Sequence, residues 1–148
     1  MHSLIDLLKR WQPQGVGILP PVAPAVVRDT FAAVGSVATS DVLALYARLG
    51  GMEEMDDEYW RLWSLDEVRR ENAQPSQFGV LFSDYMLSCW CYRLKPNSDD
   101  TSSVLVDYFD DRKPSVVAES VAEFFDSYVA DPTHLLDSRS LLEARRRR

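Results

Sequence analysis

The sequence has few residues that could support a fold covalently or through a metal. It contains two cysteines, Cys89 and Cys91, and two histidines, His2 and His134, among 148 residues. Two cysteines one residue apart cannot join distant parts of a fold, and their spacing matches neither a redox motif nor a zinc site. The histidines lie in opposite terminal segments and lack the spacing of metal ligands. We therefore predict no metal and no cofactor, and we interpret both cysteines as buried structural thiols.

Sequence signals of membrane insertion, secretion and common enzyme chemistries are also missing. No apolar run approaches the roughly 20 residues that cross a bilayer, and the first residues lack the basic and apolar regions of a secretion signal. A Gly-rich phosphate loop and a Gly-x-Ser-x-Gly elbow are absent. We expect a soluble, cytoplasmic protein that has no membrane partner and is not an enzyme. A small hydrolase built on two carboxylates, Asp84 and Asp107, remains a less favoured alternative, because perturbed acid pairs cannot be recognised from sequence.

The charge of the chain is strongly acidic once its last residues are set aside. The formal net charge is −7, from 16 basic and 23 acidic residues. Residues 145–148 are all arginine, so the remaining chain carries 12 basic against 23 acidic side chains and a charge near −11. Such a body repels phosphate backbones, which argues against a nucleic-acid partner, and it attracts a basic protein. We interpret the arginine run as a flexible tail.

Helical periodicity appears at both ends of the chain. Apolar residues predict a helix over residues 3–11, followed by a Pro/Gly-rich connector that completes an N-terminal segment, 1–23. A second helix begins at Pro24, and a third begins near Ser40 and is stopped by Gly50 and Gly51. Capping boxes at Ser64 and Ser120 predict two more. The leucines after residue 134 predict a last helix within a C-terminal segment, 131–148.

Alternating and apolar runs between these helices predict strands. They cover residues 59–63, 78–82, 87–94 and 103–109, with a break at Ser83 and Asp84 between the second and the third. The strands and helices of residues 24–130 predict one α+β domain. We expect a mostly antiparallel or mixed sheet of about four to six strands, packed by helices.

The order of these pieces resembles the SUKH superfamily, a group of small α+β proteins that includes a fungal regulator of cell-wall assembly and many bacterial immunity proteins. The residues that carry the resemblance are a helix ending in Leu49-Gly50-Gly51, the aromatic strand at 59–63 leading into Ser64-Leu65-Asp66-Glu67-Val68, the segment Val80-Leu81-Phe82-Ser83-Asp84-Tyr85, and the closing helix at 118–125. Together they span most of residues 24–130. After Asp84, where a glycine or small polar residue is common in the family, this chain has Tyr85-Met86-Leu87.

The resemblance implies a helix-packed sheet, no cofactor and, in bacteria, an immunity protein that neutralises a cognate toxin of a contact-dependent or other polymorphic toxin system. Because a fold hosts many functions, the site has to be identified separately. We expect neutralisation by occlusion, in which the bound protein blocks the toxin's active site or substrate path. The alternative within the same superfamily is a regulatory or scaffold module that binds several proteins. We expect a monomer or weak dimer.

An acidic run before the first predicted strand is the main candidate for a partner surface. Residues 53–58 hold five carboxylates and one apolar residue, Met55, so we predict an exposed and mobile loop. A negative patch would speed association with a basic partner, although such a loop can also serve solubility alone. Asp84 is assigned either to binding or to capping a turn. The predicted partner-binding residues are Glu53, Glu54, Asp56, Asp57, Glu58, Tyr59, Trp63 and Asp84.

Five further acidic residues extend this surface if their loops lie at the same end of the sheet. They are Asp99, Asp100, Asp107, Asp110 and Asp111.

Overall fold

The computed structural model describes residues 2–87 and 89–135. In this part of the chain the helices are α1 (His2–Gln14), α2 (Pro24–Ala33), α3 (Ser40–Tyr46), α4 (Leu65–Glu71) and α5 (Val121–Ala130), followed by a 3₁₀ helix, Pro132–Leu135. The strands are β1 (Trp60–Leu62), β2 (Val80–Tyr85), β3 (Trp90–Pro96), β4 (Ser102–Asp107) and β5 (Ser115–Ala118). The predicted α+β class is confirmed. Most of the predicted last helix and the arginine run lie outside the described residues.

The strands follow one another in the sheet in chain order, and every neighbouring pair is antiparallel. An antiparallel order of this kind places the start of β1, the β2–β3 turn and the end of β4 at one end of the sheet. We call this the hairpin end. Four strands coincide with predicted ones, whereas β5 was not predicted. Its four residues are too few to show a clear alternation of apolar and polar side chains.

The turn between β2 and β3 lies later in the chain than predicted. Ser83 and Asp84 are interior residues of β2, and the chain reverses only after Tyr85. Both polar side chains are buried and hydrogen-bonded: Trp60 Nε1 donates to Ser83 Oγ at 3.2 Å, and Trp63 Nε1 donates to Asp84 Oδ2 at 2.7 Å. A strand tolerates buried polar groups that have partners. These partners, in β1 and directly after it, lie more than twenty residues earlier in the chain, so the local sequence could not reveal them.

One face of the sheet carries an aromatic core beneath α1 and α5. The ring of Trp60 on β1 lies 6.0 Å from that of Trp11 on α1 and 5.7 Å from that of Phe125 on α5, between centroids. Phe124 lies 6.2 Å from Phe82 of β2. Each such pair adds about 0.5–1.5 kcal/mol beyond burial of its area. Helix α1, which belongs to the predicted N-terminal segment 1–23, therefore shares the core of the sheet.

Gly50 and Gly51 are required by close backbone packing. Helix α3 ends at Tyr46, so the glycines do not terminate it as predicted. A Cβ at Gly50 would lie 2.3 Å from the carbonyl oxygen of Pro20, and one at Gly51 would lie 2.8 Å from the amide nitrogen of Ser64. The φ of Gly51 is also +138°, a region that favours glycine. The pair lets the connector after α1 and the start of α4 approach the same stretch of chain.

The two predicted capping boxes have different geometries. At α4, Ser64 Oγ accepts from the amide of Glu67 at 3.3 Å, and the Glu67 carboxylate accepts from the amide of Ser64 at 3.2 Å. At α5, Ser120 Oγ accepts from the amide of Glu123 at 3.1 Å, but the Glu123 carboxylate accepts from the amide of Glu119 instead. Both helices begin at the predicted residues, and only the first box is complete.

The acidic run is anchored by one of its own carboxylates. Asp56 is only 5% exposed, so the prediction of an exposed segment is wrong for this residue. Its Oδ2 accepts from Trp11 Nε1 at 2.9 Å and from the hydroxyl of Tyr128, and its Oδ1 accepts from the amides of Glu58 and Trp60 at 3.0 and 3.1 Å. Burial, together with the Asp56 carboxylate, raises the pKa of Tyr128, so its hydroxyl remains a donor. Asp56 therefore ties α1, β1 and α5 together.

We expect Asp56→Asn to lower the free energy of unfolding by about 3 kcal/mol, because an amide cannot accept hydrogen bonds from all four donors. Urea denaturation at pH 7 measures this change. The matched control is Asp57→Asn, which alters an exposed neighbour and should change stability by less than about 0.5 kcal/mol. Equal stability of the two variants would contradict the anchoring role.

Candidate partner-binding surface

The eight predicted partner-binding residues fall into two groups in the structure. Exposed at the surface are Glu53, Glu54, Asp57, Glu58 and Tyr59. Buried are Asp56, Trp63 and Asp84. A buried side chain cannot touch a partner while the fold stays as it is. The expectation of direct contact is therefore corrected for these three: Asp56 anchors the acidic segment, while Trp63 and Asp84 belong to a polar network described next.

The face of the sheet opposite α1 and α5, which we call the second face, carries charged side chains in register. Arg61, Asp84, Cys91 and Asp107 stand opposite one another across β1, β2, β3 and β4. Asp84 accepts from Trp63 Nε1 at 2.7 Å and from Arg61 Nη2 at 3.3 Å. Neither a turn cap nor a partner contact describes Asp84, because it is an interior acceptor of the sheet.

Arg61 connects this network to α4. Its two terminal nitrogens reach the two oxygens of Glu67 at 2.8 and 2.6 Å, a paired geometry suited to guanidinium and carboxylate. Burial raises the pKa of the Glu67 carboxyl, but hydrogen bonds from Arg61 and from the amide of Ser64 outweigh this effect, and the pKa is lowered from its ordinary value. Glu67 is thus both a helix cap and an ion-pair partner.

The two carboxylates of the hydrolase alternative lie on different strands of the sheet. Asp84 and Asp107 stand on either side of Cys91, on strands β2 and β4. Each has its own cation, since Arg61 contacts Asp84 and Arg93 Nε donates to Asp107 Oδ2 at 2.8 Å. Two carboxylates that share one proton must lie close together, and strands two apart hold their residues roughly 10 Å from each other. The arrangement does not favour acid-pair catalysis.

Four exposed apolar residues with unusual backbone geometry gather at the hairpin end. The φ angles of Tyr59, Met86, Leu87 and Phe109 are 68°, 53°, 54° and 55°, and the residues are 51%, 44%, 79% and 55% exposed. Among the described residues these are all the non-glycine positions with positive φ. The amide of Met86 donates to the carbonyl of Tyr59 at 2.8 Å, which joins two of them directly. We call these four residues the hairpin-end patch.

Acidic side chains flank the hairpin-end patch in sequence. Asp57 and Glu58 precede Tyr59, and Asp110 and Asp111 follow Phe109. Asp110 Oδ2 forms an ion pair with Arg112 Nη2 at 2.6 Å. The guanidinium carbon of Arg112 lies 3.9 Å from the ring centre of Tyr108. Asp99 and Asp100, in contrast, lie in the β3–β4 turn at the opposite end of the sheet, and Asp107 is buried. Of the five additional acids, only Asp110 and Asp111 extend the negative surface of this end.

Sequence reasoning found only Tyr59 of the hairpin-end patch. Leu87 was predicted to begin the following strand and Phe109 to end another, whereas Met86 lay between the predicted elements. The available signal was the apolar Tyr85-Met86-Leu87 after Asp84, at a place where the resembled family commonly has a glycine or small polar residue. Apolar residues in a tight turn are unusual, because left-handed turn positions favour glycine and asparagine.

No protein-family model matches the chain, and searches of curated proteins and of solved structures gave no match. The resemblance to the SUKH superfamily therefore stays a prediction. Within residues 2–87 and 89–135, no three His, Cys, Asp or Glu side chains are grouped so that they could hold a metal ion. In the same ranges, no helix has the length and apolar character needed to cross a bilayer.

We expect the free energy of unfolding to fall in acid, partly because Glu67 becomes protonated and loses its ion pair. Its folded-state pKa is below its unfolded-state pKa, so its contribution is complete above about pH 4.3, the ordinary value, and is lost as the pH falls through the folded-state value. Glu67→Gln should therefore destabilise at pH 6, by about 1 kcal/mol or less, and much less at pH 3. Urea denaturation at both pH values tests this, with the exposed Glu71→Gln as control. An equal loss at both pH values would contradict it.

The two cysteines should differ in reactivity, which corrects the interpretation that both are buried. Cys89 is exposed and Cys91 is buried. Burial, followed by the carboxylates of Asp84 and Asp107, raises the pKa of the Cys91 thiol to about 12, and thiols react as thiolates. A thiol reagent at pH 8 should modify one cysteine quickly in the native protein and both in urea. Cys89→Ser should abolish the fast phase and Cys91→Ser should retain it; the reverse result would contradict the assignment.

Proposed function

We propose that this protein is a protein-binding module that docks on a basic protein through the hairpin-end patch and its acidic flanks. One observation carries the proposal: exposure, apolar character and left-handed backbone coincide at the same four residues. In the immunity form of the proposal, the partner is a bacterial toxin, and the docked protein blocks its active site or substrate path. That partner class comes from the resemblance to the SUKH superfamily.

The energetic balance at the hairpin-end patch supports a binding role. A left-handed backbone is unfavourable by roughly 1–2 kcal/mol for a residue with a Cβ, so four such residues together oppose folding by about 4 kcal/mol or more. The net stability of a domain is only about 5–15 kcal/mol. Glycine or asparagine would remove most of this strain, and polar side chains would avoid exposing apolar area. Strain kept in exposed apolar residues is typical of binding sites.

The negative charge around the hairpin-end patch favours a basic partner. The chain carries a net charge of −7, and Asp57, Glu58 and Asp111 are exposed beside the patch. Acidic flanks accelerate encounter with a basic surface, while the apolar residues supply the desolvated contact. The fixed position of Asp56 holds this acidic segment in place before binding, which reduces the entropy lost on association. The complex should therefore form quickly and weaken with salt.

The hairpin-end patch is tested by a substitution that weakens binding without weakening the fold. We expect Leu87→Gly to leave the free energy of unfolding unchanged or to raise it by up to about 1 kcal/mol. The reason is that glycine adopts a φ of 54° without the steric strain that a Cβ causes. The same variant should capture less of the basic partner from a native lysate, as measured by quantitative mass spectrometry at low and at high salt. Val37→Gly is the matched control, since Val37 is 62% exposed and lies between α2 and α3.

Neutralisation is then measured with the purified partner. The wild-type protein should abolish the partner's activity at one-to-one stoichiometry, Val37→Gly should do the same, and Leu87→Gly should require a higher concentration. A complex that forms without any loss of the partner's activity would contradict occlusion. Equal capture by Leu87→Gly and the wild type would contradict the placement of the surface.

A further inference from the structure

One of the four tryptophans differs from the others in the state of its indole N–H. Three donate to a buried residue, at 2.9, 3.2 and 2.7 Å: Trp11 to Asp56, Trp60 to Ser83 and Trp63 to Asp84. The fourth, Trp90, donates to no other residue in the part of the chain that the structure describes. Every buried side-chain nitrogen and oxygen in that part has a hydrogen-bond partner. The N–H of Trp90 is therefore not buried, and it reaches solvent.

Trp90 stands at the hairpin end, on the face of the sheet that carries the aromatic core. It is the first residue of β3 and pairs across the strands with Tyr85, which in turn pairs with Trp60. Trp60 is buried, whereas Tyr85 and Trp90 are half-buried. The turn between Tyr85 and Trp90 carries Met86 and Leu87. Trp90 therefore borders the hairpin-end patch.

The indole ring of Trp90 is held by two aromatic neighbours. It lies nearly parallel to the ring of Tyr85, at an angle of 4° and with the centroids 5.4 Å apart. The ring of Tyr108 meets it at 80°, also with the centroids 5.4 Å apart. The guanidinium of Arg112 covers Tyr108 in turn, at 3.9 Å. A side chain that is ordered before association loses little entropy on binding, so the N–H of Trp90 is directed before a partner arrives.

Docking on the hairpin-end patch would remove water from the N–H of Trp90. A donor that loses water and gains no acceptor opposes binding, whereas a donor that gains one favours it. A partner that fits therefore presents an acceptor at this position. A carboxylate is a poor choice, because the chain has a net charge of −7 and Glu58 and Asp111 are exposed beside the patch.

The acceptor that remains on a basic surface is a main-chain carbonyl. Lysine and arginine side chains carry only donors, so they cannot accept the indole N–H. Every residue of a partner, in contrast, has a neutral carbonyl oxygen on its main chain.

We infer that Trp90 anchors the docked partner and donates its indole N–H to a main-chain carbonyl oxygen of that partner. This inference rests on the proposed protein-binding function and adds to it an anchoring residue and the chemical group that it recognises. Tryptophan is enriched among the residues that dominate binding energy at interfaces, because it combines a large apolar ring with one polar donor. Without an acceptor for this donor, other basic proteins would bind more weakly.

The free protein tests the structural basis of the inference. NMR on the ¹⁵N-labelled full chain at pH 8 measures how fast the four indole N–H protons exchange with water, and Trp90→Phe identifies the signal of Trp90. Exchange should be fast for Trp90 and at least about tenfold slower for the other three, which are hydrogen-bonded. Equal protection of all four signals would mean that Trp90 already has a partner, and it would overturn the inference.

The hydrogen bond itself is tested with the purified partner. Benzothienylalanine introduced at position 90 keeps the shape of the ring and replaces the N–H by sulfur, and tryptophan introduced at the same position by the same method is the matched control. The analogue should weaken binding about three- to tenfold. In the complex of the wild-type chain, the N–H of Trp90 should become protected from exchange. Equal affinity of analogue and control, or unchanged exchange of Trp90 in the complex, would overturn the inference.

Failure of this inference is distinguishable from failure of the proposed function. A chain with benzothienylalanine at position 90 that binds the partner fully, while Leu87→Gly loses it, would keep the docking surface and overturn the role of Trp90. A wild-type chain that captures no basic partner from its native lysate would overturn the proposed function, and the inference with it.

Discussion

The Asp56 carboxylate is the interaction on which the arrangement of layers depends. It is buried, and it accepts hydrogen bonds from Trp11, Glu58, Trp60 and Tyr128, which come from both helices over the core and from the edge of the sheet. No cation contacts it among the ion pairs of the described residues, so these four donors replace the water that the charge has lost. Their positions fix α1 and α5 over β1, and they hold the acidic segment along the outer edge of that strand.

The two faces of the sheet bury different kinds of side chain. One face buries aromatic rings, whose attraction depends little on exact partner identity. The second face carries buried and partly buried charges, each of which has a specific partner: Arg61 for Glu67 and Asp84, and Arg93 for Asp107. Ion pairs of this kind add little net stability, but breaking one leaves a buried charge and is unfavourable. The polar face therefore restricts which register of strands is acceptable.

The conformation of the residues in the hairpin-end patch opposes the stability of the fold. Left-handed backbone at Tyr59, Met86, Leu87 and Phe109 is unfavourable for folding, and their exposed rings and chains gain nothing from the core. The aromatic stack of Tyr85 on Trp90, with centroids 5.4 Å apart, supports the turn from within. The end of the sheet thus carries the strained residues, and under the proposed function they would form the binding surface before the partner arrives.

The sequence by itself determined the α+β class, the helix that begins at Ser64 and the strand before it, because capping boxes and apolar periodicity act over a few residues. It could not determine the burial of Asp56, Trp63 and Asp84, since their partners lie tens of residues away and the charge of the two aspartates suggests exposure. It also missed the position of the β2–β3 turn, because Ser83 and Asp84 resemble turn residues until β1 supplies their hydrogen bonds. Only the tertiary structure decided which acidic and apolar residues share the hairpin end, because strand register brings together residues that are distant in the chain.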